Sequence, residues 1–239
     1  MSKSNYPFIV IEGGDGAGKG TQAKLLIETL EKRGINVALQ DFPRYYQLFG
    51  GMCGKALKGS FGDFLALHPV IASALYTLDR VSAREELFQI LEKKILISNR
   101  YTPSNVAYQA AKLQGVEKTE FIRYLEHAEY EVLGLPKPDL VIYLRVPVEI
   151  SQGLIAKKDP REYLDGGKGV KDQYEADCAY QQRVANTYLE LAEGRLDWQV
   201  VECTKEGIMR TPEDIHEEVF FIVKNVLKSF WNVFTCPPV

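Results

Sequence analysis

The sequence predicts an α/β fold: a five-stranded parallel sheet flanked by helices. Short apolar runs of strand length recur at 8–11, 37–39, 95–97, 140–144 and 200–201, and longer segments of helical period separate them. Such alternation is the pattern of helices covering both faces of a parallel sheet. At 239 residues and 46% apolar, the chain can bury a substantial core as one domain.

The first crossover is the clearest element. Ala23, Leu26, Ile27 and Leu30 share one face of a helix, and Gly34 stands where its C-cap belongs, a short loop before the second strand. Further helical stretches are expected around 69–94, 104–113, 118–133, 172–193 and 212–227. No repeat, low-complexity tract or linker divides the chain, so 1–239 reads as a single domain. One segment differs in character: KKDPREYLDGGKGVKDQ, about 157–173, carries five basic and four acidic residues. That composition suits a mobile lid over a phosphate site, or a plain solvated loop. The tail SFWNVFTCPPV, 229–239, is aromatic and suits packing on the domain or a subunit interface.

A formal charge of −3 gives no overall basic footprint, so neither nucleic acid nor an anionic membrane is an expected partner. A small phosphorylated ligand held by a local cluster fits that balance. Cys53, Cys178, Cys203 and Cys236 are too scattered for a zinc site or a disulfide scaffold. The apolar stretch of MSKSNYPFIVIEGG is too short for a signal sequence or a membrane span, which points to the cytoplasm.

Straight after the first strand comes GGDGAGKGTQ, 13–22, which follows G-x-x-x-x-G-K-[ST] except that Gly20 stands where a hydroxyl is usual and Thr21 comes one residue late. A glycine-rich turn feeding a helix start lets backbone N–H groups point at a phosphate, and Lys19 adds a charge for the β/γ-phosphates. Gly13, Gly14, Asp15, Gly16, Ala17, Gly18, Lys19, Gly20 and Thr21 are the expected nucleotide-binding set. The G-K-G-T-Q ending resembles that of nucleoside monophosphate kinases, which implies magnesium held mainly through waters and phosphate oxygens, consistent with that ion's reluctance to dehydrate, with Thr21 still able to reach the site.

Four more segments mix aromatics with charged or amide groups: DFPRYYQLFG (41–50), ALYTLDR (74–80), NRYTPSNVAYQ (99–109) and DQYEADCAYQQRV (172–184). Asp41 and Asn99 follow predicted strand ends, where ligand sites of doubly wound sheets lie. Together with the phosphate loop, the motifs F-P-R-Y, Y-x-L-D-R and R-Y-x-x-S-N-x-A-Y-Q make the chain resemble the thymidylate kinase family over nearly its whole length. The resemblance implies the P-loop nucleoside monophosphate kinase fold, phosphorylation of dTMP by ATP to dTDP and ADP in dTTP synthesis, Mg2+ as cofactor, and a homodimer.

It also implies roles. Asp15 matches the acid near the acceptor sugar and the metal, although a turn aspartate is the plain alternative. Phe42 and Tyr45 line sugar and phosphate, with Arg44 able to add charge. Arg100 grips the dTMP phosphate, for which a planar fork of donors is suited. Tyr76 stacks on thymine, though aromatics at helical spacing are usually core; Arg80 donates to a base carbonyl, and Asn105 pairs with the base edge. Tyr108 crowds the sugar's 2'-position and Tyr174 lies beside the acceptor. Lys19, Arg100, Asp15 and Arg161 are the expected catalytic residues, with Lys157, Lys158, Lys168 and Lys171 as rivals to Arg161 for the lid cation.

Two departures stand out. Asn99 replaces the aspartate of the family's D-R-Y, and Arg145 in LRVP stands where a smaller or acidic residue is usual. They leave two alternatives: a kinase for another nucleoside monophosphate, and a non-catalytic nucleotide-binding relative.

Overall fold

The computed structural model describes residues 5–155 and 173–231. Its strands are β1 (Phe8–Gly13), β2 (Val37–Asp41), β3 (Ile95–Asn99), β4 (Leu140–Arg145) and β5 (Trp198–Glu202). They form one parallel sheet in the order β2-β3-β1-β4-β5, and each contains one of the predicted apolar runs. A small hairpin, β6 (Thr204–Lys205) and β7 (Ile208–Met209), follows β5.

β1 is the central strand, and all six of its residues are buried. Side chains alternate across a strand, so β1 feeds two cores. Phe8 and Val10 join one with Ala72, Ala107 and Tyr188, from α3 (Pro69–Ser82), α5 (Thr102–Ala110) and α9 (Cys178–Ala192). Ile9 and Ile11 join the other with Leu26 and Val219, from α1 (Lys19–Glu31) and α10 (Pro212–Trp231). The predicted face of α1 is buried at Ala23, Leu26 and Leu30, and Gly34 takes the left-handed backbone, φ 73°, that ends the turn after it.

Three predicted stretches are subdivided. The 69–94 stretch is two helices, α3 and α4 (Arg84–Leu91), separated at buried Ala83, with Leu87 and Leu91 of the second in the core. The 118–133 stretch is α6 (Gly115–Glu126), continuing into a π-helical turn at His127–Val132. The 172–193 stretch is α8 (Gln173–Ala176) and α9, separated at Asp177, whose carboxylate accepts from the Tyr180 N–H at 2.8 Å and caps the new helix. Two helices were hidden in the sequence. α2 (Leu48–Leu57) contains Gly50, Gly51 and Gly54, which weaken its helical signal; α7 (Val148–Ile155) occupies a short stretch after β4.

All of the stretch assigned to the lid except Gln173, including Lys157, Lys158, Arg161, Lys168 and Lys171, lies outside the described residues, as does the tail beyond Trp231. Among the described residues no helix is long and apolar enough to cross a membrane.

Leu26 is fully buried between α1 and the sheet. Leu26→Ala should lower the unfolding free energy by about 3 kcal/mol, seen as a lower urea midpoint at unchanged slope.

Candidate active site

The carboxyl ends of β1 and β3 lie side by side, with Ile11 opposite Asn99. From the first departs the phosphate loop, and from the second Arg100. Gly13 is required by a close approach: a Cβ there would sit 2.9 Å from the Leu144 carbonyl oxygen. Gly18, at φ 84°, is the N-cap of α1 and adopts the left-handed backbone that turns the loop into the helix. Space is open where Cβ atoms of Gly14, Gly18 and Gly20 would point, so the loop forms an unobstructed cradle along that side. Lys19 lies in the first turn of α1, and its Nζ donates to the carbonyls of Gly13 and Gly14 at 3.1 and 2.8 Å. Gly20 and Thr21 are exposed at the same helix end.

Glu12 is the last charged group of β1 and is fully buried. Its Oε1 accepts from the Tyr101 and Ser104 N–H groups at 2.9 and 3.1 Å; its Oε2 accepts from the Ser104 hydroxyl at 2.5 Å and from the Tyr188 hydroxyl at 2.9 Å. Burial raises its pKa, against Arg100 and the hydroxyl donors, which lower it. These bonds hold the start of α5 and the turn before it, where Arg100 adopts φ 66°. For a residue with a side chain, that backbone costs about 1 kcal/mol or more and persists only where its surroundings impose it.

The Arg100 guanidinium reaches across to the phosphate loop. Nη2 donates to Asp15 Oδ1 at 2.5 Å, Nη1 donates to the Ser104 hydroxyl at 2.9 Å, and the Tyr108 hydroxyl donates to Asp15 Oδ2 at 2.6 Å. Burial opposes the arginine's charge, but Tyr108 and Asp15 beside it raise its pKa well above the ordinary value. It is therefore a permanent cation facing the loop.

Around this contact opens a cleft with about 580 Å³ of empty space, its open mouth included. Asp15, Phe42, Tyr45, Tyr76, Arg80, Arg100, Asn105, Tyr108 and Tyr174 all line it, so the structure brings together every acceptor residue expected from the sequence. Tyr76 is half-buried at the cleft wall, with Phe64 at a ring separation of 6.0 Å, rather than sealed in the core. Tyr108 and Tyr174 pack at 5.5 Å, and Tyr174 accepts from Gln109 Nε2 at 3.0 Å. Arg44 is different. Its N–H and Nε bind the Asp79 carboxylate at 2.8 and 3.2 Å, and its Nη2 binds the Asp79 carbonyl, so it braces the F-P-R-Y loop instead of adding charge to the cleft.

Two acids were missed in the sequence. Glu12 sits inside an apolar strand, and its strict alternation toward the α5 side was the available signal. Glu129, on the π-helical turn, is fully buried beneath Arg80. Burial opposes its charge, while Arg80 and hydrogen bonds hold its carboxyl below the usual range. Arg145 pairs with Glu202 on the neighbouring strand end at 2.7 Å, both half-exposed, away from the cleft.

Asp15 is a hard oxygen donor at the meeting point of loop and cleft. Among the described residues no cluster of three His, Cys, Asp or Glu side chains is placed to enclose a metal. That donor set fits magnesium, which keeps most of its waters and needs only one or two carboxylates beside phosphate oxygens.

A phosphate loop, a parallel sheet in this order and a second, arginine-bearing cleft define a nucleoside monophosphate kinase. A family model described as Thymidylate kinase matches residues 11–215. The chain is 36% identical over 187 residues to thymidylate kinase of Mycobacterium tuberculosis, covering 77% of this chain and 85% of that one. It is 31% identical over 226 residues to a probable thymidylate kinase of Thermococcus onnurineus, covering 92% and 98%. The solved structure of thymidylate kinase from Candida albicans superposes with a TM-score of 0.71 at 22% identity, covering 95% and 94%. The chain belongs to the thymidylate kinase family.

Lys112 packs beside Tyr174: its Nζ donates to the carbonyls of Phe64 and Leu67 at 3.2 and 3.3 Å and lies 5.7 Å from the Tyr174 ring. Burial lowers its pKa to about 8, partly offset by Asp63. The unfolded chain therefore binds more protons above that pH, and stability gains a rising contribution from about pH 8 to the ordinary lysine pKa of 10.5. The rise should be read as the difference in urea unfolding free energy between the unmodified protein and Lys112→Met at stepped pH, since the buried thiols and phenols, shared by both, lower stability over the same range.

Proposed function

We propose that the two sides of the Asp15–Arg100 contact are the two substrate sites of one reaction. The γ-phosphoryl group of ATP passes to the 5'-phosphate of dTMP, giving dTDP and ADP. The observation that carries this reading is the convergence of all nine acceptor residues on one cleft whose mouth meets the phosphate loop at Asp15.

On the donor side, the loop amides from Gly13 to Gly18 cradle the phosphates, and Lys19 leaves its two carbonyl contacts to bind the β/γ-phosphates. On the acceptor side, Arg100 holds the dTMP phosphate, exchanging part of its contact with Asp15 for that anion. Phe42 and Tyr45 border the sugar, Tyr108 crowds its 2'-position, Tyr174 lies alongside, Tyr76 covers the base, and Arg80 and Asn105 read its edge.

A phosphate acceptor is anionic at neutral pH and needs no strong general base. The residues therefore act by alignment and by placing positive charge around a loose transition state. Asp15, through water, is the residue that would hold magnesium, whose charge would offset the negative charge of the phosphoryl transfer. The loop's Gly16 and Ala17 carry no charge, so the further cation comes from the lid at about 157–173, with Arg161 as the first choice. We assign the chain to the cytoplasm, as one domain acting in a homodimer, following the family pattern.

Arg100→Ala should leave ATP binding nearly intact and weaken dTMP binding by about 100-fold or more, read by titration calorimetry with each nucleotide. Equal loss of both affinities would refute the two-site reading. Lys19→Ala should lower turnover steeply with little change in the urea midpoint, because water can replace the Nζ contacts with the Gly13 and Gly14 carbonyls.

A further inference from the structure

The π-helical turn at His127–Val132 places Glu129 where no substrate residue is expected: fully buried, and behind the cleft wall rather than on it. Arg80 Nε and Nη2 donate to its two oxygens at 2.7 and 2.5 Å. The hydroxyls of Thr77 and Thr102 donate at 2.7 and 2.6 Å. The fifth donor is Asn105, whose amide lies 3.2 Å from Glu129 Oε1 and 3.1 Å from the Ser73 carbonyl oxygen.

That last geometry has a chemical consequence. An ionised carboxylate and a backbone carbonyl only accept hydrogen bonds, so the amide atom near both must be the nitrogen. The other amide atom, Asn105 Oδ1, is then fixed as an acceptor. It is buried without a hydrogen-bond partner among the described residues, in a side chain that lines the cleft. Arg80 lines the same cleft, and with Nε and Nη2 engaged by Glu129 its Nη1 is the nitrogen left to donate. The wall thus presents a donor and an acceptor in fixed order.

We propose that Glu129 is the positioning residue that sets this order, locking Asn105 as an acceptor and Arg80 as a donor, and so making the site select a base with a ring N–H beside a carbonyl over one with a ring acceptor beside an amino group. The proposal rests on the reading that Arg80 and Asn105 face the acceptor's base. Thymine and uracil carry the selected edge; cytosine carries the opposite one. With glutamine at 129, the side chain can donate as well as accept, and the Asn105 amide is free to turn.

The test compares kcat/KM for dTMP, dUMP and dCMP in the unmodified protein and in Glu129→Gln. The dTMP-to-dCMP ratio should fall by about 10-fold to 100-fold, since an unpaired buried polar group is what rejects the wrong base. The dTMP-to-dUMP ratio, which depends on the methyl group, should stay constant. Thr77→Val, which leaves the carboxylate in place, should leave both ratios unchanged. Equal loss on all three acceptors in Glu129→Gln would overturn the proposal in favour of a purely structural role. If the unmodified protein already takes dCMP as readily as dTMP, it is the base-facing reading that fails.

A second measurement does not depend on the variant folding. In the 15N-labelled unmodified protein without ligand, the Asn105 side-chain NH2 protons should exchange slowly with water, because they face Glu129 and Ser73. Fast exchange would place them on the open cleft and refute the lock.

Discussion

The structure turns on a carboxylate buried at the end of its central strand. Burying Glu12 would cost several kcal/mol if it were left without donors, and the fold answers with two N–H groups and two hydroxyls. Because β1 alternates, Glu12 faces the α5 layer while Gly13 begins the phosphate loop beside Leu144 on β4. One dipeptide thereby fixes both halves of the cleft. The loop leaves from Gly13, and the start of α5, with Arg100 in its left-handed backbone, hangs from Glu12. Ser104 connects the two functions, donating to Glu12 and accepting from Arg100, so the guanidinium that faces Asp15 is steadied from the strand below.

Much of this was legible in the sequence because the signals were local. The phosphate loop is contiguous, the five strands are short apolar runs, and seven of the nine acceptor residues stand in three compact motifs that line one cleft. What stayed hidden depends on contacts far apart in the chain. Arg44 reads as a cation beside a phosphate until Asp79, 35 residues away, is seen to take its N–H and its Nε. The break at Asp177 was visible in principle, since aspartate is a strong N-cap, but a continuous helical period across it masked the signal. α2 was obscured by its glycines. Glu129 was the least legible, because a helical pattern at 118–133 places an acid on the buried stripe and leaves Val132 70% exposed, the reverse of amphipathic order. Such local contradictions are expected where function overrides packing.

Asn99 takes on a physical meaning in this setting. It ends β3 opposite Asp41 on the edge strand, and its side chain hydrogen-bonds the Asp41 carboxyl, lowering a pKa that burial raises. An aspartate at 99 would set two carboxylates against each other there; the amide removes that repulsion while keeping a polar atom at the strand end. The departure at 99 thus goes with the aspartate at 41, and Arg145 is likewise answered by its register partner Glu202.

The inverted stripe around Glu129 also constrains how this chain can change. Replacing the acid with leucine would bring the turn closer to an ordinary amphipathic helix, and by packing alone it would pass as an improvement. It would also strip Arg80 of its counter-charge and Asn105 of its partner. A firmer helix at this turn and an ordered cleft wall therefore make opposite demands on position 129.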